Sequence, residues 1–90
     1  MENKDKLVES MTILDFSDMK LPMVVVYDHP ADYPDAYVAR VWEMKGNLPT
    51  NTFIKMDTLE KIREDVQSAG FIHCIQRAVE DDPVIVEAWM

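Results

Sequence analysis

Glycine occurs only at Gly46 and Gly70, and cysteine only at Cys74. Two isolated glycines cannot build a phosphate-cradling loop or a dinucleotide fingerprint, which need several glycines at close spacing. A lone cysteine excludes an internal disulfide and points to a reducing compartment. It also leaves no Cys/His cluster that could hold zinc. No Gly-x-Ser-x-Gly elbow is present to expose a nucleophile. Basic residues are few: 9 Lys and Arg stand against 17 Asp and Glu, a net charge of −8. Direct nucleic-acid binding is disfavoured, because neutralising phosphates takes clustered Lys and Arg. Long apolar runs are missing as well. Met23 to Tyr27, with Leu21 just before, is far too short to cross a bilayer. The polar opening Met1-Glu2-Asn3-Lys4-Asp5-Lys6 is not followed by the apolar core of a signal peptide. These absences set the expectation of a cytoplasmic protein with no membrane association, no cofactor and no catalytic motif.

What is present belongs to a small folded domain. Ninety residues suffice for one hydrophobic core but not two, so residues 1–90 are expected to form a single domain. Hydrophobic residues make up 48% of the chain, too many for a disordered polymer. The acid excess is spread along the whole sequence, which predicts a broadly negative surface. Such a field attracts a basic protein surface, although excess acid also serves plain solubility.

Apolar spacing gives the expected elements. Leu7, Val8, Met11 and Leu14 recur at helical intervals and predict an amphipathic helix over 4–14. Met23-Val24-Val25-Val26-Tyr27 is a β-branched run that predicts a central strand covered on both faces. Asp28 to Asp35 contains two prolines and reads as a stiff loop. A second strand is expected from Ala36 to about Met44, broken by Gly46-Asn47-Leu48-Pro49, and a short one over Thr52–Met56. Asp57 with Glu60 three residues later resembles a capping box. The stripe Leu59, Ile62, Val66 and Ala69 predicts a helix that Gly70 ends in a left-handed conformation. Phe71–Gln76 and Val84–Met90 predict two final strands in an antiparallel hairpin around the acidic turn Glu80-Asp81-Asp82-Pro83. The expected fold is α+β in two layers: a mixed or antiparallel sheet of four to five strands with two short helices packed on one face.

Three groups of residues carry the functional expectations. Asp28, His29, Asp32 and Asp35 could all ligate a metal, but the loop lacks the glycine and terminal glutamate of a calcium site, so no metal is expected. With Tyr33 and Tyr37 they instead form a stiff, acidic, aromatic surface suited to protein contact. Glu80, Asp81 and Asp82 add a second acidic turn. Trp42, Ile85 and Trp89 form a candidate apolar patch if the final strand points Ile85 and Trp89 away from the helices. His73 and Cys74 are adjacent, and neighbours on a strand project to opposite faces. They cannot act as base and nucleophile together, which makes Cys74 a buried small hydrophobe and leaves only a pairing with distant His29.

The sequence thus predicts no catalytic residue. It predicts a non-catalytic acidic module, a regulator or inhibitor, that engages a basic surface of a partner protein. The sharpest version is a nucleic-acid mimic of phage or mobile-element type, facing a nucleic-acid-binding protein. The alternatives are a homodimer or accessory subunit joined through an apolar sheet face, and a small enzyme using His29, Cys74 or the loop acids.

Overall fold

A computed structural model of the chain describes residues 6–17, 19–43, 48–76 and 83–90. Its strands are β1 (Lys6–Leu7), β2 (Pro22–Asp28), β3 (Tyr37–Glu43), β4 (Leu48–Met56), β5 (Cys74–Gln76) and β6 (Ile85–Trp89), with one helix, α1 (Leu59–Ser68), and a 3-10 turn at Met11–Ile13. The six strands form one sheet in the order β1-β4-β3-β2-β6-β5. The β1–β4 pairing is parallel and all the others are antiparallel. The architecture is α+β, as expected from the sequence, but the described residues form six strands rather than four to five and one α-helix rather than two.

β2 is central because its valines can be buried on both sides. Val24 and Val26 face α1 and Val25 faces the other way, and all three are buried. Across the sheet, Ala39 and Val41 of β3 and Ile54 of β4 join Val24 and Val26 under Ile62 and Val66 of α1. The helix starts one residue later than the sequence predicts. Thr58, not Asp57, is the N-cap, its hydroxyl accepting from the Lys61 N–H at 3.2 Å. Asp57 instead pairs with the Lys61 ammonium at 3.0 Å, one helical turn on. Gly70 ends the helix at φ +103°, and a Cβ there would meet nothing within 4 Å. Backbone conformation, not space, is what requires glycine.

Of the helix expected over 4–14, residues 6–14 are described, and they form no α-helix. Lys6 and Leu7 pair with Thr52 and Phe53, and the Val8 N–H donates to the Phe53 carbonyl at 3.0 Å. Ser10 then caps the 3-10 turn through the Thr12 N–H. The Asp65 carboxylate on α1 accepts from the Ser10 hydroxyl at 2.5 Å and from the Met11 N–H at 2.7 Å. A lone three-turn helix is marginal in water, and here the sheet edge and Asp65 offer its backbone better partners. The outcome is a strap, described over residues 8–17 and 19–21, that lays Met11, Leu14, Phe16 and Met19 on the core. Its far end is held by Glu43, which accepts from the Lys20 and Leu21 N–H groups at 2.9 and 3.0 Å.

Two further boundaries move. β4 begins at Leu48, inside the segment expected to break the sheet. Its register with β3 shifts between Arg40 and Trp42, and the Thr50 hydroxyl fills the gap by donating to the Val41 carbonyl at 2.8 Å. The β5–β6 hairpin is antiparallel as expected, but its turn residues Glu80, Asp81 and Asp82 lie outside the described residues. Among the described residues, no helix is long and apolar enough to cross a membrane.

Candidate functional site

The sheet face opposite α1 is covered by no helix among the described residues. It carries Val25 and Tyr27 of β2, Val38, Arg40 and Trp42 of β3, and Phe53 and Lys55 of β4, as their register pairings require. The loop between β2 and β3 folds back over one end of this face. Its ends are tied by the His29 N–H donating to the Ala36 carbonyl at 3.0 Å. Two turns inside it are closed by Tyr33 N–H to Pro30 and Ala36 N–H to Tyr33, at 2.9 and 3.1 Å. His29 takes φ 48°, a left-handed conformation that marks where the chain leaves the sheet. Three backbone hydrogen bonds thus close the segment that the sequence marks with two prolines.

The folded loop places Tyr33 on Phe53, with ring centroids 5.2 Å apart, and Lys55 holds its ammonium 5.0 Å from the Tyr33 ring. Arg40 lies 5.1 Å over the Phe53 ring and donates to the Thr50 carbonyl at 3.0 Å. Beside this stack, the Trp42 indole donates to the Tyr27 hydroxyl at 3.1 Å. Between loop and sheet lies a recess of about 280 Å³ lined by Tyr27, Pro30, Asp32, Tyr33, Val38, Arg40 and Trp42.

Three of the sequence-predicted residues, Asp32, Tyr33 and Trp42, meet at this recess. Asp35 is exposed on the same loop, whereas Asp28, also exposed, ends β2 opposite Tyr37 and so belongs to the α1 side of the sheet. Tyr37 on that side packs on the core and meets the His29 ring edge-on at 4.9 Å. Asp28 contacts the His29 ring nitrogen, and its N–H donates to the Val84 carbonyl at 2.7 Å. The start of β6 is thereby fixed at the loop's end of the sheet. Ile85 stands opposite Tyr27 and shares the uncovered face.

Trp89 does not join the expected patch. It pairs with Val24, faces the helix and is only 4% exposed. Glu87 and Trp89 pair with Val26 and Val24 and so share the helix face, Val86 at the register shift also packs on the core, and Ala88 lies opposite Val25 on the other face. Burial of Glu87 is tolerated because its carboxylate is fully answered. Arg63 of α1 donates to both of its oxygens at 3.0 and 2.8 Å, and the Trp89 indole adds a third bond at 2.8 Å. Desolvation pushes the Glu87 pKa up, but the Arg63 and Trp89 hydrogen bonds and the Arg63 charge outweigh it and hold the carboxyl below its usual range. Hydropathy alone would place a glutamate outside. Its guanidinium partner is 24 residues away in sequence, so the pairing leaves no local trace.

Cys74 is exposed, not the buried hydrophobe expected, because β5 is an edge strand. Desolvation of its sulfur, the Glu87 charge and a hydrogen bond to Glu87 push the thiol above its usual range, so it is a poor nucleophile at neutral pH. Nor can His29 activate it. Cys74 lies level with Trp89 and hence with Val24, whereas His29 follows Asp28 at the other end of β2. Five residues of strand separate the two rows by roughly 16 Å. Among the described residues, no group of three or more His, Cys, Asp or Glu side chains is arranged to hold a metal ion. Compared with known proteins, the chain matches no family profile, no curated protein and no solved structure.

Proposed function

We propose that this protein is a non-catalytic binding module that engages a basic surface of a partner protein through the β2–β3 loop and the recess beneath it. The observation that carries the reading is the meeting of an acidic loop with an aromatic recess on the one sheet face that no described helix covers. A recess of about 280 Å³ falls just under the usual ~300–1,000 Å³ of small-molecule sites, a size suited to one anchoring side chain. Tyr27, Tyr33 and Trp42 supply amphipathic area with little entropy to lose, and Asp28, Asp32 and Asp35 supply charge that steers and orients the encounter. The net charge of −8 supports the same choice of partner. A partner that is itself a nucleic-acid-binding protein, with this chain acting as regulator or inhibitor, is the most specific form of the proposal.

The test is affinity capture from host extract on immobilised protein, eluted with a salt gradient and repeated with Asp32→Ala/Asp35→Ala and with Trp42→Ala. The expected result is a protein with a basic surface that elutes as salt rises and is lost with either variant. Capture that neither salt nor these substitutions alter overturns the reading.

A further inference from the structure

We propose that β5 is a self-pairing edge, at which two copies of the chain join antiparallel, β5 against β5, into one continuous sheet. The strand ends the sheet on its side, and all three of its residues are exposed. Its outward hydrogen-bonding groups follow from the alternation of the ladder. The His73 N–H donates to Met90 at 3.2 Å and the Met90 N–H to His73 at 2.9 Å, so these two form a bonded pair. Ile75 and Ala88 then form the next bonded pair, and Cys74 and Gln76 stand opposite Trp89 and Glu87 at non-bonded positions. The backbone N–H and C=O groups of Cys74 and Gln76 therefore point away from β6, along the open edge. Such a row is a template for another strand.

Charge selects the second strand. Edges are ordinarily kept apart by charged residues, and this one has none. From Val66 to Gln76 run eleven residues without Asp, Glu, Lys or Arg, the longest such stretch in the chain. Two copies of net charge −8 repel each other over most approaches. At β5 that repulsion is least, and a basic partner finds no charge there to favour it. Exposed Ile72 and Ile75, 71% and 46% accessible, add apolar area that pairing removes from water.

A two-fold axis at Ile75 makes the match self-complementary. Cys74 faces Gln76 of the second copy in both directions, every outward backbone group of the strand is used, and Ile75 meets its own image. The interface is short beside the ~1,600 Å² of a standard stable complex, so the dimer is weak and concentration-dependent. It uses a different surface from the acidic loop, and salt separates the two. Screening relieves repulsion between like-charged copies but weakens attraction to a basic partner.

Sedimentation equilibrium of the full chain, over a concentration series reaching the millimolar range and at low and high salt, is the test. The expected result is a reversible monomer–dimer equilibrium that salt strengthens. Gln76→Pro removes an outward N–H without touching a bond to β6, and it weakens the dimer about tenfold or more. Ile75→Lys places two ammonium groups at the axis and weakens it comparably, while altering only an exposed side chain. Gln76→Cys, opposite the natural Cys74 at a Cα separation of ~5.5 Å, forms a covalent dimer on mild oxidation. A wild-type chain that stays monomeric throughout overturns the proposal, as does a dimer that both Gln76→Pro and Ile75→Lys leave unchanged.

Discussion

The two faces of the sheet are sealed in different ways. On the helix side, Val24, Val26, Ala39 and Ile54 lie under Ile62, Val66 and Met11, and every one of these is fully buried. An added layer of backbone does the covering. On the other side, Val38 and Phe53 are almost equally inaccessible, at 2% and 1%, with no helix above them. There Tyr33 leans on Phe53, Lys55 lies over Tyr33, and Arg40 lies over Phe53. Long side chains with apolar stems and polar ends provide the cover, with the Arg40 head held by the Thr50 carbonyl. A small domain can thus bury one face with an element and the other with its own side chains. Only the second arrangement leaves a polar, aromatic surface that another molecule can reach.

Substitutions on the covered face should cost stability, and the largest cost falls at Glu87, the one buried charge among the described residues. Arg63→Ala leaves the Glu87 carboxylate buried without its cation and is expected to destabilise the fold by about 3–5 kcal/mol, read from urea unfolding. Met11→Ala opens a cavity between the strap and α1 and should cost about 3 kcal/mol by the same measurement. If instead it is silent, the strap is not part of this layer. Acid gives the next effect. Because Glu87 is held below its usual value near 4.5, its contribution is intact above that pH and is lost as pH falls through its folded value. Stability followed by thermal unfolding should decline over that acid range in the wild type and much less in Glu87→Gln. A residual slope will come from Asp15, held low by the Ser17 N–H, and Asp57, held low by its bond to Lys61. Gly70→Ala should cost about 1 kcal/mol, from the left-handed backbone alone. On the uncovered face, Asp32→Ala should change stability by no more than about 0.5 kcal/mol while reducing partner capture. A large stability loss there would erase the contrast between the faces.

Elements whose evidence is local were legible in the sequence. The valine run of β2, the stripe of α1 and the glycine that ends it each state their structure within a few residues. The loop acids and aromatics could be singled out, because proline and aspartate announce a stiff turn. What could not be read depends on partners far along the chain. Residues 6–14 carry a sound helical pattern and still become a strand and a strap, because Phe53 and Asp65 hold them. Trp89 and Glu87 face inward because β6 pairs them with Val24 and Val26 and Arg63 receives the carboxylate, while the bulge at Val86 turns Ile85 to the opposite face. Tyr27 and Arg40 complete the recess only once β2 and β3 are aligned. A one-residue change in register reverses which side chains meet, and nothing within β6 alone reports it.

The strap also orders events in time. Residues 6–11 are made before the residues that receive them: Thr52, Phe53 and Asp65 lie some 45 to 55 positions downstream. Until α1 has emerged, the first segment has nowhere to dock, and the side of the core that Met11 closes stays open. Bringing such distant ends together carries a loop-closure cost that must be met before the contacts reward it. Residues 6–11 are therefore laid into the fold only once β4 and α1 are in place, a clasp that shuts long after it is made.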